Sequence, residues 1–216
     1  MKEQEYKALS IREFTKAAAS YEGDHAGIYA MCKKDYPDIL QELEREPWQT
    51  LLDAGCGPGP MIALLSQKFP DRWYTGLDLT PKMIEVAKAK SIPNATFVVG
   101  DCEALPFGES SFDVIICANS FHHYPNPERF FEGVSQVLRP GGRLILRDYT
   151  ADGLLLLLCN HVEMPLAHAL GHGDVAMVRL RDIEEMCVSA GLIPEKLEKR
   201  KGMRMHCVIR KPRNGV

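Results

Sequence analysis

Residues 51–59, Leu51-Leu52-Asp53-Ala54-Gly55-Cys56-Gly57-Pro58-Gly59, constrain the fold more than any other stretch of this chain. An apolar run ends on a carboxylate and opens into a loop with glycine at every second position. Glycine lacks a Cβ, so it takes positive φ freely and lets a ligand approach the main chain closely. The following run, Met61 to Lys68, carries apolar residues at helical spacing, and Pro60 suits a first helical position where no N–H is needed. Strand, glycine loop and helix in that order predict a nucleotide-type site in a doubly wound α/β fold.

The next strand sharpens this expectation. Arg72-Trp73-Tyr74-Thr75-Gly76-Leu77-Asp78 is β-prone and ends in an acid. A carboxylate at the tip of the second strand is placed to accept hydrogen bonds from two ribose hydroxyls. Further strands are expected at Thr96–Val99, ending in Gly100-Asp101-Cys102, and at Phe112–Ala118, ending in Asn119-Ser120-Phe121-His122-His123. A fifth, Gly142–Asp148, follows the breaker Arg139-Pro140-Gly141-Gly142. Nearly all-apolar strand bodies with polar carboxyl ends predict an open, mostly parallel sheet that binds its ligand along one edge.

With these residues in view, the chain resembles the class I S-adenosylmethionine-dependent methyltransferases, in particular the type 11 group similar to the ubiquinone/menaquinone biosynthesis enzymes. The matching segments are LLDAGCGPG (51–59), GLDLTPKMIEVAK (76–88), GDCEALPF (100–107), FDVIICANSFHHYPNP (112–127) and VLRPGGRLILRD (137–148). The resemblance implies a Rossmann-like, mostly parallel seven-stranded sheet with an antiparallel last strand and helices on both faces. It implies S-adenosyl-L-methionine as cofactor. Gly55, Cys56, Gly57 and Gly59 would set loop backbone against its methionine part, with Asp53 beside the ammonium. Asp78 would hold the ribose, Leu79 and Met83 would flank the adenine, and Asp101 with Cys102 would read the adenine edge. Asn119 would face the transferable methyl. The glycine spacing departs from the dinucleotide GxGxxG pattern, because the third glycine falls one place early and Pro60 takes the later position. That disfavours a nicotinamide dehydrogenase.

The segment 1–46 reads as two helices forming a lid, with Ile11, Phe14, Ala17, Ala18 and Tyr21 on one face and Ile39, Leu40 and Leu43 on the other helix. In related enzymes such a segment brings a tyrosine to the cofactor carboxylate, a role for Tyr21 or Tyr29; Gly23 and Gly27 suit a hinge. A cofactor-binding core spans 47–148, a substrate-covering insertion 149–180, and the last helix and strands 181–216, all within one domain. Leu154 to Leu158 are five leucines, far short of the ~20 apolar residues that cross a bilayer. They predict a buried helix, with acceptor lining or a homodimer contact as further roles. His161, His168 and His172 lie near Glu163 and Asp174, but Gly171 and Gly173 weaken any helix that would gather them, and no metal site is expected.

Seven cysteines without a CxxC pair argue against a disulfide framework or a zinc site. The charged start, Met1-Lys2-Glu3-Gln4-Glu5, lacks a secretory apolar region, so a cytoplasmic address is expected. A net charge of −3 gives no general attraction to nucleic acid. The basic cluster Lys196, Lys199, Arg200, Lys201, Arg204, Arg210, Lys211 and Arg213 keeps an RNA methyltransferase as the alternative, although aromatic interleaving is missing. A domain that binds the cofactor without catalysis is the third reading. The expected chemistry is in-line methyl transfer to a small-molecule acceptor, where alignment and water exclusion dominate and His123 or His122 serves as base or acceptor contact.

Overall fold

Seven strands form a single sheet in the order β3-β2-β1-β4-β5-β7-β6, in a computed structural model that describes residues 3–23 and 28–213. The strands are β1 Thr50–Ala54, β2 Trp73–Asp78, β3 Ala95–Val99, β4 Phe112–Ala118, β5 Leu138–Tyr149, β6 Ile193–Arg200 and β7 Arg204–Arg210. Strands β1 to β5 pair in parallel, and β7 runs antiparallel to both β5 and β6. This is the expected Rossmann-like topology. The chain reverses its direction of winding between β1 and β4, where a doubly wound sheet opens a crevice beyond its carboxyl ends.

The strand residues divide by period two between the sheet's faces. Leu51, Val114, Ile116 and Ile145 join one core with Ile39, Leu43, Ile62 and Leu65, supplied by helices α3 (Tyr36–Arg45) and α4 (Pro60–Lys68). Leu52, Ile115, Cys117, Leu144 and Leu146 join the other with Phe130, Phe131, Val134, Ile183 and Cys187. The helices on that side are Pro127–Val137 and Leu180–Ser189. Burial on both faces explains why the strands read as continuous apolar runs.

Two expectations about elements need correction. The strand β5 begins at Leu138, not after the Pro-Gly-Gly breaker. Leu138 pairs with Phe112 and Arg143 with Val114, so the intervening residues form a bulge, with Gly141 at φ +82°. A bulge absorbs residues that cannot sit in a regular ladder without ending the strand. The leucine run is helical but exposed: within Gly153–Leu158 no residue is buried, and Leu154 is 73% accessible. Its helix continues through a π-helical turn, Cys159–Glu163, into Met164–Ala169. Leu156, Cys159 and Met164 pack against Ala151 and Met177, Asn160 bonds the Met177 backbone, and His168 meets the Tyr6 ring edge-on. One side suffices to anchor this helix, whatever its bulk hydrophobicity.

The segment before β1 is helical in three pieces: α1 Glu3–Ala17, α2 Ile28–Cys32, and α3, joined to α2 by a 3₁₀ turn at Lys33–Asp35. Helix α1 ends four residues before Tyr21, which lies in a turn. Of the two hinge glycines, Gly27 lies outside the described residues. Among the described residues no helix is long and apolar enough to cross a membrane.

Candidate active site

The loop after β1 lies on the tip of β2. The N–H groups of Gly55 and Cys56 both donate to the Leu77 carbonyl, at 2.8 and 2.9 Å. Gly55, Gly57 and Gly59 all have positive φ. Each has its own reason for lacking a side chain. A Cβ on Gly55 would stand 1.9 Å from Ser120 Oγ, and one on Gly59 would meet Phe97 at 2.9 Å. A Cβ on Gly57 would meet nothing within 4 Å; it would project into open space. Gly57 is therefore the position where a ligand can approach bare backbone, whereas Gly59 serves the packing of Phe97.

The Asp78 carboxylate sits on the same rim. It accepts hydrogen bonds from Gly57 N at 2.9 Å and Thr80 N at 2.8 Å. Each oxygen retains a lone pair, so the fixed carboxylate can still accept two ligand hydroxyls. Asp53 is buried behind the loop; burial, and then the charge of Asp78, push its pKa up to about 7. A cationic group arriving there would relieve both effects.

Three cavities run along the carboxyl edge of the sheet. The first, about 60 Å³, is lined by Asp78, Leu79, Asp101, Cys102 and Gly55, with Lys7, Ser10 and Phe14 of α1 above them. The second, about 50 Å³, is lined by Asp53, Gly55, Cys56, Gly57, Tyr21, Cys32 and Asn119. The third is larger, about 400 Å³, and includes Tyr21, Cys32, Asn119, His122, His123 and Tyr149. Gly55 joins the first two, and Tyr21, Cys32 and Asn119 join the second to the third. Met83 is fully buried and lines none of them; Gly59 likewise lines none. In this structure these two residues pack beneath the site, Gly59 against Phe97.

Helix α1 closes the first cavity by charge. Lys7 Nζ lies 2.8 Å from Asp101 and 2.5 Å from the buried Glu103. The same helix fastens the loop covering the large cavity: Ser10 Oγ donates to the Gly173 carbonyl at 3.2 Å, and Glu13 accepts from Gly173 N at 2.9 Å. Phe14 meets the His123 ring edge-on with centroids 5.1 Å apart.

The two histidines differ in environment. His122 Nδ1 lies 2.7 Å from Asp148 and its Nε2 lies 3.3 Å from Asp174. Burial opposes its charge, yet the charge and hydrogen bond of Asp148, with Asp174, raise its pKa to about 10. His123 is lowered to about 4 by burial and by its charged neighbour. The two carboxylate neighbours thus favour the cationic form of His122, whereas burial beside it favours the neutral form of His123.

The remaining candidates separate. His161 faces the Leu157 carbonyl, His168 contacts the Asp174 carbonyl, and His172 pairs with Glu13 at 2.6 Å, so these three histidines share no centre. Tyr29 lines none of the three cavities, in contrast to Tyr21. The seven cysteines are free and buried. Much of the basic C-terminal cluster is internally paired: Lys196 with Glu42, Arg204 with Asp35, and Arg210 with Glu46 and Glu195. That pairing offsets part of the charge an RNA surface would use.

Sequence reasoning missed Lys7, Asp148 and the Asp35–Arg147–Arg204 network, and set Asp174 beside His161, His168 and His172 without its partners His122 and His123. Asp148 carried a usable signal, as a carboxylate ending the fifth strand. Lys7 and Asp174 lie in segments without motif, far in sequence from their partners.

Residues 52–146 match the family model described as a methyltransferase domain of the type 11 group. The chain carries a type 11 methyltransferase domain. It is 42% identical over 99 residues to a phthiotriol/phenolphthiotriol dimycocerosates methyltransferase of Mycobacterium leprae, covering 45% of this chain and 37% of that protein. It is 35% identical over 141 residues to a malonyl-[acyl-carrier protein] O-methyltransferase of Hahella chejuensis, covering 64% and 49%. The chain therefore spans half or less of the length of these relatives. Among solved structures, phosphoethanolamine N-methyltransferase 2 of Haemonchus contortus, bound to S-adenosylhomocysteine, superposes with a TM-score of 0.69 at 17% identity. That match covers 83% of this chain and 53% of that one, and it speaks to the fold.

The pKa of Asp53 gives a signed expectation. Its folded value of about 7 lies above the ordinary 3.8, so ionising it costs the free protein stability as pH rises from about 4 through 7. A ligand ammonium beside it reverses the balance. Affinity for S-adenosylhomocysteine is expected to rise with pH up to about 7 and then level off. Calorimetric titration across this range checks it, and Asp53→Asn should flatten the profile.

Proposed function

We propose that this chain is an S-adenosyl-L-methionine-dependent methyltransferase that acts on a small-molecule acceptor. The observation that carries the reading is the placement of the Asp78 carboxylate on one rim with the bare backbone of Gly57, in a line of cavities that opens past Asn119 into the large third cavity. In this reading Asp78 holds the ribose diol, and Asp101, Cys102 and Leu79 surround the adenine. Gly55, Cys56 and Gly57 lie along the methionine part, Asp53 faces its ammonium, and Tyr21 its carboxylate. The bound cofactor supplies a sulfonium whose methyl group is already electrophilic. The protein's part is alignment and exclusion of water.

Asn119 and Tyr21 stand at the junction of the cofactor and acceptor cavities, where the methyl would pass. Asn119 is held at φ +55°, with its amide donating to Asp35 at 3.1 Å, so its side chain is oriented before any ligand arrives. The acceptor cavity combines Phe14, Tyr149, Met164, Met177 and Met203 with the histidine pair. This lining suits a largely apolar acceptor that carries one polar reacting group. His123 contacts that group; His122, locked between two carboxylates, positions it. The segment 1–46 acts as the lid, with Lys7 holding Asp101 until the adenine enters. Seven free, buried cysteines suit a cytoplasmic setting.

The test has three arms. A thermal-shift and calorimetric assay should show S-adenosylmethionine and S-adenosylhomocysteine binding and no response to NADH. Methyl-labelled cofactor offered with a panel of hydroxyl, amine and carboxyl acceptors should yield labelled product. His123→Gln should lower turnover about 10²-fold, the range of a positioned acid–base group, and weaken cofactor binding far less. Cofactor binding with no product across the panel would favour a non-catalytic cofactor-binding domain, and salt-sensitive RNA binding would favour the RNA enzyme.

A further inference from the structure

The histidine pair, placed beside the acceptor, makes with Asp174 a geometry that cofactor binding does not require. His122 Nε2 and His123 Nδ1 lie 3.3 and 3.4 Å from the same Asp174 oxygen, and the three ligand atoms fall within 4.8 Å of one another. We propose that His122, His123 and Asp174 bind a divalent first-row transition-metal ion, with Zn²⁺ the best fit, at the floor of the acceptor cavity.

Three observations support this. The first is spacing. Ligands about 2.0–2.1 Å from a tetrahedral ion sit roughly 3.4 Å apart, close to both separations from Asp174. The second is the state of His123. Its Nδ1 is buried without a hydrogen-bond partner, 3.4 Å from the Asp174 carboxylate. An ion pair between His122 and Asp174 leaves that nitrogen unexplained, whereas an ion between all three satisfies it. The third is the support behind His122. Asp148 holds its Nδ1 at 2.7 Å and is itself fixed by the N–H groups of Ser120, Phe121 and Tyr149 at 2.7–3.0 Å. A carboxylate gripping the far nitrogen of a ligating imidazole is the usual outer support of a metal-bound histidine.

Asp148 and Asp174 bring two carboxylates to the histidine pair, which favours a cation there. Among the described residues, the other group of carboxylates close enough to hold an ion, Glu3, Asp101 and Glu103, already surrounds the Lys7 ammonium. Two histidines and one carboxylate leave at least one coordination position free, and the ligands line the cavity shared with Asn119 and Tyr149. If the methyltransferase reading holds, that position faces the acceptor, and the ion would bind its reacting oxygen. The acceptor class is then a hydroxylated or carboxylated molecule and not an amine.

The metal arm is tested without turnover. Chelator-treated, tag-free protein is titrated with Co²⁺ and followed by visible absorption, and with Zn²⁺ by calorimetry. One ion per chain is expected, with ligand-field bands of a low-coordinate N/O site. His123→Ala and Asp174→Ala should each weaken binding at least tenfold, and Asp148→Asn about 10–100-fold. Each variant's melting curve and S-adenosylhomocysteine affinity report whether it is folded, and His123→Gln provides a milder replacement. Absence of stoichiometric binding, affinity unchanged in His123→Ala and Asp174→Ala, or thiolate-to-cobalt charge-transfer bands pointing to cysteine would each overturn the site. Failure here leaves cofactor binding untouched, so the two readings fall separately.

Discussion

Asp78→Ala is expected to weaken S-adenosylhomocysteine binding by about 10²-fold or more, with the fold retained. The carboxylate is half-buried at the strand tip, and burial raises its pKa against the hydrogen bonds of Thr80 and Gly57. Those bonds fix its direction before a ligand arrives, so little ordering cost remains at binding. Two charge-assisted hydrogen bonds to a diol contribute roughly 1.5–3 kcal/mol each, and each 1.4 kcal/mol is about tenfold in affinity. Alanine also frees Gly57 N, loosening the loop that faces the methionine part. Asp78→Asn separates these effects: it keeps one acceptor and should lose less. Calorimetry with S-adenosylhomocysteine and with adenosine makes the measurement. Equal affinities in wild type and Asp78→Ala would put the ribose elsewhere.

Gly55→Ala should be among the most destabilising single-methyl additions to this chain. The added carbon would lie 1.9 Å from Ser120 Oγ and 2.4 Å from its Cβ, and the backbone is held at φ +78°. The left-handed conformation costs an alanine roughly 1–2 kcal/mol, and overpacking typically adds 1–3 kcal/mol. Together these lower the melting temperature by roughly 5–15 °C for a chain of this size. The clash also pushes Ser120 from Tyr124, with which it shares a 2.8 Å hydrogen bond at the wall of the first cavity. Cofactor affinity should therefore fall alongside stability. Pairing Gly55→Ala with Ser120→Gly relieves the clash and leaves the backbone term, so about half the loss should return. Gly57→Ala is the contrast: its added carbon meets no protein atom, so its larger effect should be on cofactor binding.

The core strands were legible because each is buried on both faces and bounded by breakers. Leu51–Ala54 and Phe112–Ala118 can satisfy their side chains only inside a covered sheet. The glycine loop was legible because positive φ is a local demand, and so was the acid at the second strand's tip. The leucine helix misled because five consecutive leucines carry no periodic signal; what decides their exposure is which residues meet Ala151 and Met177. The Pro140-Gly141-Gly142 breaker misled in the opposite sense, because partners on both sides hold β5 together across the bulge.

The sequence by itself determined the doubly wound sheet, its strand limits to within a few residues, and the rim where Asp53, Gly57, Asp78 and Asp101 gather. Those follow from local backbone preference and from the alternation of burial, which depend on near neighbours. Only the tertiary structure decided that Lys7 closes on Asp101, that His122 is clamped between Asp148 and Asp174, and that His123 is left with a buried, unpaired nitrogen. Charge states and ligand geometry depend on groups brought together from distant segments. The pairing of His122 with Asp174 spans 52 residues and that of Lys7 with Asp101 spans 94, separations that only packing closes.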